Sequence, residues 1–165
     1  MKINYGIVAT FGVLLLGAGC PGGATTPVIG QTPTASAPVS ASANRLDLSG
    51  RDLTSVPSYV FDRTDVEELD LSDNRLTGAL PSQIQRLRNL RVLDASGNEM
   101  TGVPAEVGQL SELQVLDLSD NNLTGLPLEL GNLRNLRRLD LRGNDPSKQD
   151  LDAIRAQLKD AEILE

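Results

Sequence analysis

The chain has 165 residues, with 15 Lys and Arg against 22 Asp and Glu, one cysteine, and no histidine or tryptophan. Without histidine there is no imidazole proton shuttle and no Ser-His or Cys-His relay, and one thiol builds neither a structural zinc site nor an intramolecular disulfide. Every acid lies at or beyond Asp47, so from Asn44 onward 14 cations face 22 anions, a balance that repels nucleic acid phosphates and anionic headgroups.

Residues 1–20 read as a signal peptide. Lys2 gives a short positive start, Gly6 to Leu16 is an uncharged apolar run, and Gly17, Ala18 and Gly19 precede Cys20. The run is too short to span a bilayer as a helix. Ala18-Gly19-Cys20 resembles the end of a bacterial lipoprotein signal, in which the cysteine is acylated before cleavage. Gly17 departs from that pattern, because the usual leucine stands one place earlier, at Leu16. The resemblance implies lipidation at Cys20, with membrane attachment through the acyl chains only, each buried CH₂ contributing about 0.8 kcal/mol. The alternatives are an ordinary cleaved signal with an incidental cysteine, or a short anchor.

Residues 21–43 carry no charge and are dominated by Gly, Pro, Ser, Thr and Ala. Such a segment buries too little apolar area to offset chain entropy, and the expectation is a disordered tether. A glycosylated or wall-threading stalk is the other reading. A domain over 44–165 begins where charges and leucines appear together.

From Leu46 the chain repeats itself. The doublet Leu46-x-Leu48 returns at Leu69-x-Leu71, Leu93-x-Ala95, Leu116-x-Leu118 and Leu139-x-Leu141, in steps of 23, 24, 23 and 23 residues. Three places after each doublet stands Arg51, then Asn74, Asn98, Asn121 and Asn144. Thr-Gly pairs and prolines at Pro57, Pro81, Pro104 and Pro127 follow. A fixed period of this size marks a solenoid, whose units bury apolar faces against their neighbours. The pattern LxxLxLxxNxLTGxLPxxLxxLxx resembles the leucine-rich repeat family over about three quarters of the chain. The resemblance implies an α/β repeat solenoid: an arc of about five units, with short parallel strands on the concave side and irregular or helical turns on the convex side.

Each position also has its own physical reason. Alternation in Leu69-Asp70-Leu71-Ser72 sends leucines inward and polar groups outward, as a short strand requires. Val66, Leu69, Leu71, Leu76, Leu80, Ile84, Leu87 and Leu90 then fill one layer of core. The asparagines Asn74, Asn98, Asn121 and Asn144 carry donors and an acceptor that can serve backbone groups in two coils, a structural ladder. The extra residue in the second unit, at Gly78-Ala79-Leu80-Pro81, reads as a loop insertion on the convex side.

The two ends differ. Tyr59 and Phe61 are expected to thicken the irregular first unit by local packing, with a ligand-stacking role as the alternative. No amphipathic N-terminal cap is visible, so the edge strand near Arg45 to Ser49 is exposed or covered by the tether or a partner. The C-terminal cap, 146–165, is expected to be a helix from about Ser147 to Lys159 with Leu151, Ile154 and Leu158 on one face, followed by a short strand at Ile163-Leu164. The lack of cysteine caps fits a bacterial origin.

Alternation also assigns a concave surface. Its columns are Arg45, Glu68, Val92, Val115 and Arg138; Asp47, Asp70, Asp94, Asp117 and Asp140; and Ser49, Ser72, Ser96, Ser119 and Arg142. Carboxylates about 4.8 Å apart repel by only about 0.9 kcal/mol in water, so the aspartate column needs no bound cation. A calcium or cationic-peptide site is the alternative, and the further ligands it needs are not visible. The arginines at 86, 88 and 91 and at 134, 137 and 138 read as solvated surface, and Asn122-Leu123-Thr124 as a coincidental glycosylation pattern.

The functional expectation is a non-catalytic protein- or peptide-binding module, exported and lipid-anchored on a bacterial envelope, using its concave face. A structural or glycan- and peptidoglycan-binding envelope protein is the second reading, disfavoured by scarce aromatics. An enzyme using the aspartates as acid and base ranks last, because an open hydrated face does not shift carboxylate pKa values. No catalytic residue, metal site or cofactor is expected.

Overall fold

The computed structural model describes residues 44–165; the expected signal peptide, the lipidation expected at Cys20 and the expected tether lie outside the described residues. Each repeat opens with a three-residue strand: β1 (Arg45–Asp47), β2 (Glu68–Asp70), β4 (Val92–Asp94), β6 (Val115–Asp117) and β7 (Arg138–Asp140). These stack in order into one parallel sheet, which β8 (Glu162–Leu164) extends to six strands. The register is strict: Leu69, Leu93, Leu116 and Leu139 align along the sheet, with Leu46 before them and Ile163 after them. The central leucine of each triplet points inward while its neighbours point out, which is the period-two geometry of a strand.

The core is a column of aliphatic side chains running through the coils. All eight residues assigned to the second layer, from Val66 to Leu90, are buried. Each such side chain contributes about 1.5–3 kcal/mol when fully removed from water. After each inward stretch a proline in extended conformation, Pro57, Pro81, Pro104 or Pro127, opens a five-residue 3₁₀ turn. The fixed ring suits that position because the turn needs no amide from its first residue. These turns stack closely at the C-terminal end: a Cβ on Gly108 would collide with the backbone carbonyl of Glu129 in the next coil.

A left-handed residue closes the turn after each strand, at Gly50, Asp73, Gly97, Asp120 and Gly143, with φ between 52° and 73°. The alternation of glycine and aspartate has a packing cause. A Cβ on Gly97 would stand 2.7 Å from Asp73 Oδ1, and one on Gly143 would meet Asp120 Oδ1 in the same way. Where one coil carries the aspartate, the next has no side chain.

Two expectations need correction. The extra residue after Thr77 is not a loop: β3 (Thr77–Ala79) pairs in parallel with β5 (Glu99–Gly102) in a second, two-stranded sheet, with a register shift between Gly78 and Ala79. The bulge absorbs the insertion while the flanking hydrogen bonds persist. In the first unit Phe61 is buried at 3% exposure, but Tyr59 stands 52% exposed and packs no interior. The C-terminal helix α1 (Lys148–Gln157), with Ser147 at its N-cap, stands where the pattern places it and buries Leu151 and Ile154 on the core, with Leu158 just past its end.

Candidate binding surface

The outward residues of the six strands form continuous columns. Register places Arg45, Glu68, Val92, Val115, Arg138 and Glu162 in one, and Asp47, Asp70, Asp94, Asp117, Asp140 and Leu164 in the next. Val92 and Val115 are half-buried neighbours at its centre.

The aspartates are not five equivalent free carboxylates. In each of the first four units Oδ1 accepts the amide and the hydroxyl of the serine two residues on. The amide distances are 3.0–3.1 Å at Ser49, Ser72, Ser96 and Ser119, and the hydroxyl distances are 2.6–2.7 Å. One oxygen of every carboxylate therefore belongs to the turn, as aspartate side chains commonly serve nearby backbone amides. Ser119 is itself buried. The Ser49 hydroxyl, helped by its amide, lowers the pKa of Asp47.

What remains is Oδ2, and its surroundings change along the column. Arg45 Nη2 reaches Asp70 Oδ2 at 3.0 Å, and the same guanidinium lies 3.6 Å from Glu68. At the other end Asp140 is fully buried, a correction to its assignment to the displayed surface. Arg142 grips Asp140 through Nε at 2.9 Å and Nη2 at 2.7 Å, and Arg138 Nη2 adds a third bond at 2.7 Å. Arg142, then Arg138, hold that carboxyl well below the usual carboxylate range, against the opposing effect of burial. The serine that shapes the other turns is replaced here by Arg142, whose guanidinium closes over Asp140 together with that of Arg138. Among the described residues, Asp47, Asp94 and Asp117 make no ion pair.

Behind this face the asparagines join coil to coil. Asn98 Nδ2 donates to Ala95 and Ser96 carbonyls in its own coil and to Leu71 of the preceding one, at 3.0–3.1 Å. Its Oδ1 accepts the Leu76 amide at 3.0 Å. Asn74, Asn121 and Asn144 repeat the arrangement, the last less completely buried than the others. The rigid turn therefore fixes where each outward strand residue stands.

Arg51, in the asparagine position of the first coil, does something else. In later coils the aspartate carbonyl accepts an amide from the preceding coil, as Asp70 does from Leu48 at 2.8 Å and Asp94 from Leu71 at 2.7 Å. Asp47 has no such coil before it among the described residues, and Arg51 Nη2 donates to its carbonyl at 2.8 Å. A charged side chain thus occupies an acceptor on the edge strand. The substitution of the repeat asparagine was legible in the sequence; its use as an edge guard was not.

The remaining basic clusters are partly paired, Arg86 with Asp62 at 3.3 Å and Arg91 with Glu67 at 3.5 Å. Among the described residues no three His, Cys, Asp or Glu side chains converge to hold a metal. No helix among them is long and apolar enough to cross a membrane.

Comparison with known proteins gives the same architecture. A family model described as a leucine-rich repeat region matches residues 45–160. Tsukushi of Mus musculus is 34% identical over 101 residues, 61% of this chain and 27% of that protein. A leucine-rich repeat protein of Leptospira interrogans superposes with a TM-score of 0.63 at 43% identity, covering 67% of this chain and 28% of that one. A plant peptide hormone receptor, solved in complex with RGF2, superposes with a TM-score of 0.63 at 35% identity, covering 73% of this chain and 20% of the receptor. The chain thus spans little more than a quarter of the length of the curated relative and of the Leptospira protein, and a fifth of the receptor. On the repeat, the stacked strands and the matched region together, the chain belongs to the leucine-rich repeat family.

Proposed function

We propose that this chain is a non-catalytic binding module that takes a protein or peptide on the outward face of its six-stranded sheet, and that acylation of Cys20 tethers it to a cell envelope. The observation that carries the binding role is the face itself: six strands in strict register, about 24 Å across at the usual strand spacing, with Glu68, Val92, Asp94, Val115 and Asp117 only partly buried on it. Leucine-rich repeat domains commonly bind proteins, and the plant receptor among the structural neighbours was solved with its peptide hormone. Nothing in the arrangement favours catalysis: one oxygen of each of Asp70, Asp94 and Asp117 serves its turn, and the other faces outward from the open sheet. The anchor rests on sequence alone, on Lys2, the apolar run to Leu16 and the Ala18-Gly19-Cys20 ending.

The test places a photo-crosslinking residue at Val92 or Val115 on the sheet, and at Gln109 or Arg134 on the 3₁₀ side, in the native cell. Adducts from the sheet positions alone are expected; adducts only from the 3₁₀ side would refute the assignment of the face. Labelling with an alkyne fatty acid is expected to mark the parent chain and to vanish in Cys20→Ala.

A further inference from the structure

The aspartate column shows what kind of group its carboxylates accept, because the chain supplies that group at two places. Asp70 Oδ2 receives the Arg45 guanidinium from the preceding coil, and Asp140 receives two. Asp94 and Asp117 are built in the same way, with Oδ1 held by a serine, but no cation of the described residues lies within ion-pair distance of Oδ2, Arg138 and Arg142 acting on Asp117 only from farther off. The reason lies in the neighbouring column. Where Arg45 stands in the first coil, the next three coils carry Glu68, Val92 and Val115, so the arm that would reach forward is absent. These two carboxylates lie on adjacent strands, about 4.8 Å apart, beside the aliphatic pair Val92 and Val115.

We infer that the centre of the sheet docks a cationic segment of a partner chain, with a guanidinium or ammonium at Asp94 and Asp117 and a flanking aliphatic side chain on Val92 and Val115. This rests on the sheet face being the docking surface and adds the chemistry of its occupant. Charge complementarity carries it. Asp94 and Asp117 lack the arginine that Asp70 and Asp140 possess, and unlike Asp47 at the sheet edge they stand side by side, while the whole chain has a net charge of −7. A planar guanidinium matches two adjacent carboxylate oxygens better than an ammonium does, so arginine is the preferred residue. The neighbouring valines exclude water from one side of the pair and strengthen it.

The probe is acetyl-Val-Arg-Val-amide, titrated into the ¹⁵N-labelled full-length chain and followed by amide shifts. Saturable shifts at Val92, Asp94, Val115 and Asp117 are expected. Replacing the probe's arginine with citrulline, which keeps the shape and removes the charge, should weaken binding about tenfold. Asp94→Asn/Asp117→Asn should do the same, and asparagine retains the Oδ1 that holds each turn. Val92→Arg provides an independent check: its guanidinium should seat on Asp117 as Arg45 seats on Asp70, and exclude the probe. Equal binding of the arginine and citrulline probes, shifts confined to other surfaces, or no shift at tens of millimolar would each overturn the inference. Native crosslinks from the sheet together with equal probe binding would remove the cation assignment alone, whereas crosslinks only from the 3₁₀ side would remove the docking face as well.

Discussion

The asparagine ladder makes a graded prediction. In Asn98→Ala the Leu76 amide loses its acceptor, while the three carbonyls served by Asn98 each keep another donor: Leu71 keeps Asn74, Ala95 keeps Asn121 and Ser96 keeps the Asp73 amide. One buried amide is therefore orphaned, at about 1–3 kcal/mol, and the lost side-chain bonds add about 1 more. A total near 3 kcal/mol is expected. Asn144 makes the same set of bonds from a position water can reach, so Asn144→Ala should cost about 1 kcal/mol. Urea unfolding followed by circular dichroism measures both, provided the denaturant slope is unchanged, since repeat arrays can lose cooperativity. Equal losses in the two variants, or a loss under about 0.5 kcal/mol for Asn98→Ala, would show that these bonds do not hold the coils together.

Two further outcomes follow from the ends of the sheet. Arg51→Ala frees the Asp47 carbonyl, and sedimentation velocity should show more concentration-dependent association than in the parent; identical sedimentation would show that the edge is not guarded there. Asp140 has a depressed folded pKa, so its ion pairs stabilise the fold above its unfolded value, about 3.9, and that stability is lost as pH falls through this value toward the folded one. The melting temperature of the parent should exceed that of Asp140→Asn most near pH 7, with the gap closing between about pH 5 and pH 2; a constant gap would refute the linkage.

The architecture was readable because each leucine does one job per coil. The doublets place the strands, and the 23-residue step leaves the inward side chains nowhere to go but against the next coil. The second sheet escaped notice because Thr77-Gly78-Ala79 has no apolar alternation; its pairing with Glu99–Gly102 comes from coil stacking, not from its own residues. On the surface, Arg138 and Arg142 read as two more outward cations, and nothing in their spacing signals that both close over one carboxylate. The serines were assigned to the displayed surface beside the aspartates, whereas their amides and hydroxyls take one oxygen of each of the first four acids. Local side-chain hydrogen bonds leave no periodic trace, because Asp-x-Ser looks the same whether the carboxylate is displayed or engaged.

The asparagine bonds also have a direction. Asn74 receives the amides of Arg51 and Leu53, Asn98 that of Leu76, Asn121 that of Met100 and Asn144 that of Leu123. Every turn is thus completed by the coil that follows it, and a chain emerging amino end first cannot finish one turn until roughly another 20 residues have appeared. Such an array needs a last turn that asks for nothing. The residue in that place is Pro146, which has no amide hydrogen to satisfy. The series stops there without leaving a donor stranded, and insertion of further copies is structurally natural before Pro146 but not after it.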